Sequence, residues 1–194
     1  MSISLDADPR RDRILQAALA VFARYGFKRA SMEDVAEEAG ISRPALYQSY
    51  ENKAAIFAAL ALALGRASCE AAEAAWPIHL PFAEGLAAAG LALHGLSWQA
   101  LHGSPHGGEL LTTDSVLVGD VVAAVDSRMQ ALVQARLMPI LGASAPADQI
   151  GLQAKAITAA LHGLKAQAGS FEELVALTTQ LAQLIGAGLT RPSL

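Results

Sequence analysis

The feature that most constrains the fold is a four-residue turn, residues 39–42, between two short helical segments. Ser31 and Asp34 form a capping-box pattern at the start of the first segment. Gly40 suits the left-handed backbone of a tight turn, and Ile41 supplies an apolar side chain between the two segments. Ser42 then caps the second segment. Two short helices joined in this way predict a helix-turn-helix.

Longer helical segments flank this turn. Asp8 and Pro9 predict a helix start, and Gly26 predicts its end. The apolar positions of this helix repeat at helical spacing, at Ile14, Ala18, Phe22 and Tyr25. Asn52 predicts the cap of a fourth helix that runs to about Ala75. We therefore expect a three-helix domain over residues 1–53, linked by a fourth helix (53–75) to the remainder, 76–194.

The remainder also predicts helices. The chain is 53% hydrophobic, and its β-branched residues are sparse. Residues 82–101 predict a very apolar helix, and residues 114 to about 137 predict another that stops near Pro139. The stretch at 103–108, which contains glycine and proline, and the stretch at 143–147, which contains Pro146, predict loops. The expected fold class is all-α, with an N-terminal helix-turn-helix domain and a larger C-terminal helical domain.

Two helices at the C-terminal end carry a narrow apolar seam. The seam alternates by three and four residues, which is typical of a heptad. Its positions are Ile150, Ala154, Ile157, Leu161, Leu164, Leu174, Leu181 and Ile185. Such a helical hairpin suits a four-helix interface between two copies of the chain, so these residues are predicted to form a homodimer interface. The alternative is that the seam packs inside one chain.

Charge divides unevenly along the chain. Residues 1–66 hold nine Lys and Arg against eight Asp and Glu, whereas residues 67–194 hold five against ten. Only the N-terminal third offers a phosphate backbone a useful density of cations. The lone cysteine, Cys69, excludes an intramolecular disulfide, and no apolar run resembles a signal peptide or a membrane span. We expect a cytoplasmic protein without a membrane partner.

Many N-terminal residues resemble the DNA-binding domain of the tetracycline-repressor (TetR) family. The matching residues are Arg13-Ile14-Leu15, Ala18, Phe22, Gly26-Phe27, Ser31-Met32-Glu33-Asp34-Val35-Ala36, Ala39-Gly40-Ile41-Ser42, Leu46-Tyr47, Tyr50-Glu51-Asn52-Lys53 and Phe57. The resemblance covers about fifty residues. It implies a homodimer that binds palindromic operator DNA, and a small-molecule effector bound in the larger domain. Repression is the usual mode of the family.

Candidate DNA contacts follow from the helix ends and from the resemblance. Ser31 and Ser42 lie at helix N-termini, which favour phosphate, and Lys53 adds a cation at the start of the fourth helix. Tyr47 can donate its hydroxyl to a phosphate. By resemblance, base reading falls on the start of the third helix. The full predicted set is Lys28, Arg29, Ser31, Ser42, Arg43, Pro44, Ala45, Tyr47, Gln48 and Lys53. Arg43 suits guanine, Pro44 and Ala45 suit the thymine methyl group, and Gln48 suits adenine or a phosphate.

The family architecture also suggests an effector pocket among large side chains of the C-terminal region. The predicted pocket residues are Trp76, Phe82, His94, Trp98, His102 and Met129. His94 and His102, with Glu109 and Asp114, are the best candidates for a metal site, but no metal-ligand motif supports one. We therefore expect no metal, no cofactor and no enzymatic activity.

Two other functions stay open on the residues alone. One is a helical partner-binding module that lacks specific DNA binding, and the other is a metalloprotein that uses the C-terminal histidines. Cys69 could serve as a thiol sensor, although a lone cysteine with Arg66 as its nearest basic neighbour in sequence is more often inert.

Overall fold

The computed structural model describes residues 4–101, 106, 115–142 and 145–189. Within these ranges the chain forms helices and no strand, which confirms the all-α prediction. The helices are α1 (Pro9–Tyr25), α2 (Met32–Glu38), α3 (Arg43–Tyr47), α4 (Lys53–Ala75), α5 (Phe82–Leu101), α6 (Ser115–Leu141), α7 (Ala147–Gln167) and α8 (Phe171–Leu189).

The chain divides into two compact units. The first comprises Met1–Ala67 and Leu96–Ala123, and the second comprises Ser68–Gly95 and Ala124–Leu194. The first unit extends beyond the 1–53 boundary expected from the sequence. The reason lies in α4, whose first half places Ile56, Phe57 and Leu60 in the apolar core of the first unit.

Local sequence signals set the helix ends of the first unit. Ser31 accepts a hydrogen bond from the Asp34 amide at 3.1 Å, and Asp34 accepts one from the Ser31 amide at 2.8 Å, so the capping box is complete. Gly40 adopts φ +63°, the left-handed conformation that the turn requires. Ser42 accepts from the Ala45 amide at 3.3 Å, and Asn52 accepts from the Ala55 amide at 2.9 Å. These caps confirm the predicted starts of α2, α3 and α4.

Aromatic side chains anchor the core of the first unit. The ring of Phe22 lies 5.6 Å from that of Phe27 and 5.8 Å from that of Phe57. Leu5, which precedes α1, is buried in the same core, and Arg66 of α4 donates a hydrogen bond to its carbonyl oxygen at 3.1 Å. The segment before α1 is therefore fastened to α4.

The second unit has its own core. Trp76 is fully buried, and its ring packs edge-on against Phe82 with centroids 5.1 Å apart. A Cβ atom on Gly85 of α5 would lie 1.8 Å from Nε1 of Trp76, so the indole occupies the space that any larger residue at position 85 would need. Leu86, Met129 and Ile150 join this core.

Helix α6 continues through Pro139 to Leu141, so the predicted stop near Pro139 is wrong. Proline lacks an amide hydrogen, and inside a helix it removes the bond to the carbonyl four residues earlier. Here that carbonyl belongs to Ala135, which is exposed and open to water. The last turn of α6 therefore tolerates the proline.

Within the described residues, α4 is long and apolar enough to span a membrane when judged by length and composition. Its residues Ile56, Phe57 and Leu60 are nevertheless buried in a protein core. Packing in the first unit is thus sufficient to explain the apolar character of this part of the helix.

Candidate nucleic-acid interface

Helix α3 presents polar side chains to solvent around a single buried anchor. Leu46 is fully buried in the core, whereas Arg43, Pro44, Tyr47 and Gln48 are exposed. The anchor fixes the rotation of a helix of only five residues. Of the residues that the sequence assigned to base reading, Arg43, Pro44 and Gln48 thus lie on an accessible surface, whereas Ala45 is half-buried.

Arg43 is held in place before any ligand arrives. Its Nη1 lies 3.1 Å from Oε2 of Glu33, and its guanidinium carbon lies 5.7 Å from the ring centroid of Tyr47. Tyr47 and then Glu33 raise the pKa of Arg43, so its charge is permanent. Both partners are exposed, so the ion pair is easily exchanged for another acceptor.

Lys53 has a structural role that the sequence did not reveal. Its Nζ donates hydrogen bonds to the carbonyl oxygens of Phe27 at 2.8 Å, Lys28 at 3.0 Å and Ala30 at 2.9 Å. These bonds use all three donors of an ammonium group. They fasten the segment between α1 and α2, which carries the exposed Lys28 and Arg29. A phosphate contact by Lys53 stays a prediction and would require one of these bonds to be given up.

Arg10 of α1 contacts the α3 surface, and the sequence did not predict this contact. Its Nη2 donates to the carbonyl oxygen of Ala45 at 2.6 Å and lies 3.5 Å from Oε1 of Gln48. No spacing rule links residues 35 or 38 positions apart, so the only sequence signal was an arginine in the first turn of α1.

Tyr50, unlike the exposed Tyr47, is buried, and its hydroxyl lies 3.4 Å from Nε of Arg11.

The first unit also has an open groove, and it is acidic. It has a volume of about 380 Å³ and is lined by Val21, Arg24, Tyr25, Asp34, Glu37 and Glu38. Arg24 pairs with Glu38 at 3.2 Å, which leaves the groove with excess negative charge. Such a surface repels a phosphate backbone, so the α3 face is the better candidate for nucleic acid.

The predicted pocket residues do not line one common space. Trp76, Phe82 and Met129 pack in the core of the second unit, and Met129 borders a crevice too narrow to admit water. Trp98 is buried in the first unit, and His102 lies outside the described residues. His94 is buried in the second unit, with its ring centroid 5.9 Å from that of His162.

Burial lowers the pKa of His94 to about 3, with smaller contributions from Lys165 and His162. His94 is therefore neutral at physiological pH. The described residues contain no group of three His, Cys, Asp or Glu side chains placed to hold a metal ion. Glu109 and Asp114, like His102, lie outside the described residues.

An open groove of about 420 Å³ occurs elsewhere in the second unit. It is bounded by α6, α7 and α8, through Leu137, Leu141, Gln153, Ala156, Ile157, Ile185, Gly188 and Leu189. Its volume falls in the range of small-molecule sites. No sequence signal pointed to this groove, because its lining combines the C-terminal ends of α6 and α8 with the middle of α7.

The C-terminal seam faces inward within one chain. Ile150, Ala154, Leu161 and Leu174 are almost completely buried, and Ile157 is also buried. Leu164, Leu181 and Ile185 are half-buried. The buried positions have no surface to offer a second copy, so these residues pack inside one chain.

The outer faces of the same helices also carry apolar residues. Leu152 of α7 is 68% exposed and Leu184 of α8 is 65% exposed. Ala156 and Ala159 of α7 are exposed as well. Any interface between two copies at this hairpin would use these residues rather than the buried seam.

Cys69 does not have the surroundings of a thiol sensor. It is buried, and burial raises the pKa of its thiol. Arg128 lowers that pKa, but by less than burial raises it, and it is engaged in a bidentate pair with Glu73 at 2.6 and 2.8 Å. The thiolate is therefore disfavoured.

Comparison with known proteins finds relatives of the helix-turn-helix region. Residues 14–60 match the family model described as bacterial regulatory proteins, tetR family. The HTH-type transcriptional activator FasR of Mycolicibacterium smegmatis is 39% identical over 56 residues, which are 29% of this chain and 26% of FasR. The chain thus matches only about a quarter of the length of this curated relative.

The whole chain has relatives among solved structures. A TetR-like transcriptional regulator from Rhodococcus sp. RHA1 is 28% identical, with a TM-score of 0.60 over 92% of this chain and 96% of that one. Another transcriptional regulator from Rhodococcus sp. Rha1 is 21% identical, with a TM-score of 0.71 over 94% of this chain and 99% of that one. Residues 14–60 thus match the TetR family of bacterial regulatory proteins, and the fold of the chain is similar to that of a solved TetR-like regulator.

Proposed function

We propose that this protein is a sequence-specific DNA-binding transcriptional repressor that acts as a homodimer on a palindromic operator and is released by a small-molecule effector. The observation that carries the proposal is the exposed face of α3, where Arg43, Pro44, Tyr47 and Gln48 surround the buried anchor Leu46. A short, firmly anchored helix with an exposed cation suits the major groove of DNA.

The proposed contacts divide into two classes. Ser31 and Ser42, at the starts of α2 and α3, and the exposed Lys28 and Arg29 contact phosphates and set the register. Arg43 exchanges Glu33 for the O6 and N7 atoms of a guanine. Pro44, Ala45 and Gln48 contact neighbouring bases, and Tyr47 donates its hydroxyl to a phosphate.

A gel-shift titration tests DNA binding. The probe is the DNA upstream of the protein's own gene, with random DNA as competitor. Arg43→Ala should weaken specific binding about tenfold. The matched control is Arg24→Ala, which removes an equally exposed arginine from the acidic groove and should leave binding unchanged. Equal weakening by both variants, or binding no tighter than to random DNA, contradicts the proposal and supports a partner-binding module.

Dimerisation has its own test. We propose that the outer faces of α7 and α8 pair between copies, because the exposed leucines Leu152 and Leu184 flank alanines there. Leu152→Glu and Leu184→Glu should convert the dimer to a monomer in light scattering. Leu62→Glu changes a leucine on α4 that is 58% exposed and should leave the dimer intact. A wild-type monomer at micromolar concentration contradicts the proposal.

Release by an effector follows from differential affinity of the ligand for two shapes of the dimer. We propose that the 420 Å³ groove of the second unit holds it. Gly188→Trp should fill the groove, since a Cβ atom at this position meets nothing within 4 Å. In a panel of small apolar compounds, one should displace the wild-type protein from the operator but not this variant.

Gly151→Trp, which is equally free of neighbours within 4 Å and does not line the groove, is the control. Both variants should first be shown to retain the wild-type mass in light scattering. A reporter gene behind the operator then gives the direction of regulation. Expression that rises when the regulator is deleted supports repression, and expression that falls indicates activation, the activity named for FasR.

A further inference from the structure

One side chain of α1 joins this helix to the DNA-facing side of α3. Arg10 lies in the first turn of α1 and is exposed. Its Nη2 donates a hydrogen bond to the carbonyl oxygen of Ala45 at 2.6 Å, and the same nitrogen lies 3.5 Å from Oε1 of Gln48. One terminal nitrogen of an arginine carries two hydrogens, so it can serve both oxygens.

The two acceptors occupy special positions on α3. Gln48 is the C-cap residue of this helix. The Ser49 amide donates a hydrogen bond to the carbonyl oxygen of Leu46, three residues earlier, at 2.9 Å, whereas α-helical spacing would pair it with Ala45, four residues earlier. The carbonyl oxygen of Ala45 accepts from Arg10. A cation at this end of the helix also suits the negative end of its dipole.

The contact with Gln48 distinguishes the two ends of its carboxamide. Only the oxygen accepts from Arg10, so the NH₂ group must point away from it. Without this contact the amide is free to present either end to a base. With it, the NH₂ is offered to an acceptor atom such as N7 of a purine, and the oxygen keeps one lone pair.

We propose that Arg10 is a specificity-determining positioning residue, which fixes the orientation of the Gln48 carboxamide for base reading. The inference rests on the proposed DNA-binding function. Arg10 itself reads no base. Its hydrogen bonds strengthen when DNA covers α3, because water is excluded and the local dielectric falls.

The competing role for Arg10 is a simple phosphate contact, and the two roles differ in what they change. A phosphate contact strengthens binding to every sequence and steepens its salt dependence. A positioning role alters discrimination at one base pair, the one that Gln48 reads. The two can therefore be separated in the same binding assay.

The experiment uses the full-length protein and a randomised double-stranded DNA library at fixed salt, with sequencing of the bound fraction. Wild type defines the motif, and Gln48→Ala identifies the base pair whose discrimination depends on Gln48. Arg10→Ala should lower discrimination at that same base pair about tenfold and leave the other positions unchanged. Arg13→Ala is the charge-matched control, because Arg13 is another exposed arginine of α1 for which the structure shows no contact with Ala45 or Gln48.

A double-variant comparison completes the test. In the Gln48→Ala background, Arg10→Ala should have no further effect on discrimination at that base pair. Uniform weakening of all sequences by Arg10→Ala, or no change in discrimination, overturns the inference. A wild-type protein that selects no motif overturns the proposed function itself, and the inference with it. Circular dichroism confirms that each variant is folded, and Arg10→Lys, which keeps a donor and the charge, should recover part of the discrimination.

Discussion

The buried histidine of the second unit predicts a specific loss of stability in mild acid. Burial lowers the pKa of His94 to about 3, whereas an unfolded histidine titrates near 6.5. The neighbouring groups that face it are His162 and Lys165 of α7, and Asp126 of α6 lies 3.2 Å from His162. Both neighbours of His94 disfavour its protonation, so the folded state keeps it neutral.

The sign and size of the effect follow from linkage. Between pH 6.5 and pH 3 the unfolded chain binds the proton that folded His94 refuses, so stability is complete above pH 6.5 and falls as the pH drops. From pH 8 to pH 5, His94 should lower the free energy of unfolding by about 2 kcal/mol. That loss corresponds to a fall in Tm of about 4–8 °C for a chain of this size.

Urea titrations at pH 8 and pH 5 measure this difference. Trp98→Phe supplies the background, because fluorescence then reports on the fully buried Trp76, which lies in the same unit as His94. His94→Gln should reduce the loss between the two pH values by about 2 kcal/mol. Comparing two pH values within one variant cancels the packing cost of the substitution. His79→Gln, at an exposed histidine, is the control. A full acid loss that persists in His94→Gln would refute the reasoning.

Two further pairs of substitutions test the packing and the internal hydrogen bonds. Gly85→Ala should destabilise the second unit by about 1–3 kcal/mol through overpacking against Trp76. Gly95→Ala on the same helix, where a Cβ atom meets nothing within 4 Å, should stabilise the unit by about 1 kcal/mol. Thermal melts in which both variants change the stability in the same direction would contradict this account. Lys53→Met removes three donated hydrogen bonds and should cost about 1–2 kcal/mol in a partly exposed setting, whereas Lys28→Met should stay within about 0.5 kcal/mol of wild type. Equal stabilities of the two lysine variants would contradict a structural role for Lys53.

The predictions that succeeded rest on neighbours in sequence. Ser31 and Asp34 are three residues apart, and Gly40 determines the turn by its own backbone freedom. Such interactions involve one or two residues and a fixed spacing, so residue type alone specifies them. The helix-turn-helix could therefore be predicted almost residue by residue.

The contacts of Lys53 and Arg10 could not be predicted in the same way. Lys53 reaches carbonyl groups 23–26 residues away, and Arg10 reaches groups 35 and 38 residues away. Backbone carbonyls are present at every residue, so a sequence contains no mark for the ones that accept. The sequence thus shows where the positive charges of this domain lie along the chain, but the packing of α1, α3 and α4 determines which groups they contact.

The C-terminal hairpin shows a different limit, because a heptad pattern identifies the apolar positions of a helix but does not show whether they pack inside one chain or against a second copy. On α7, the buried Ile150 and Leu161 alternate with the exposed Leu152, Ala156 and Ala159, so both faces of the helix carry apolar residues. The chain itself covers the apolar residues of only one face. The face that carries Ile150 and Leu161 packs in the core of the monomer, where burying these side chains is favourable. The face that carries Leu152, Ala156 and Ala159 stays exposed, and that is why the dimer interface is proposed on the face that the heptad pattern did not select.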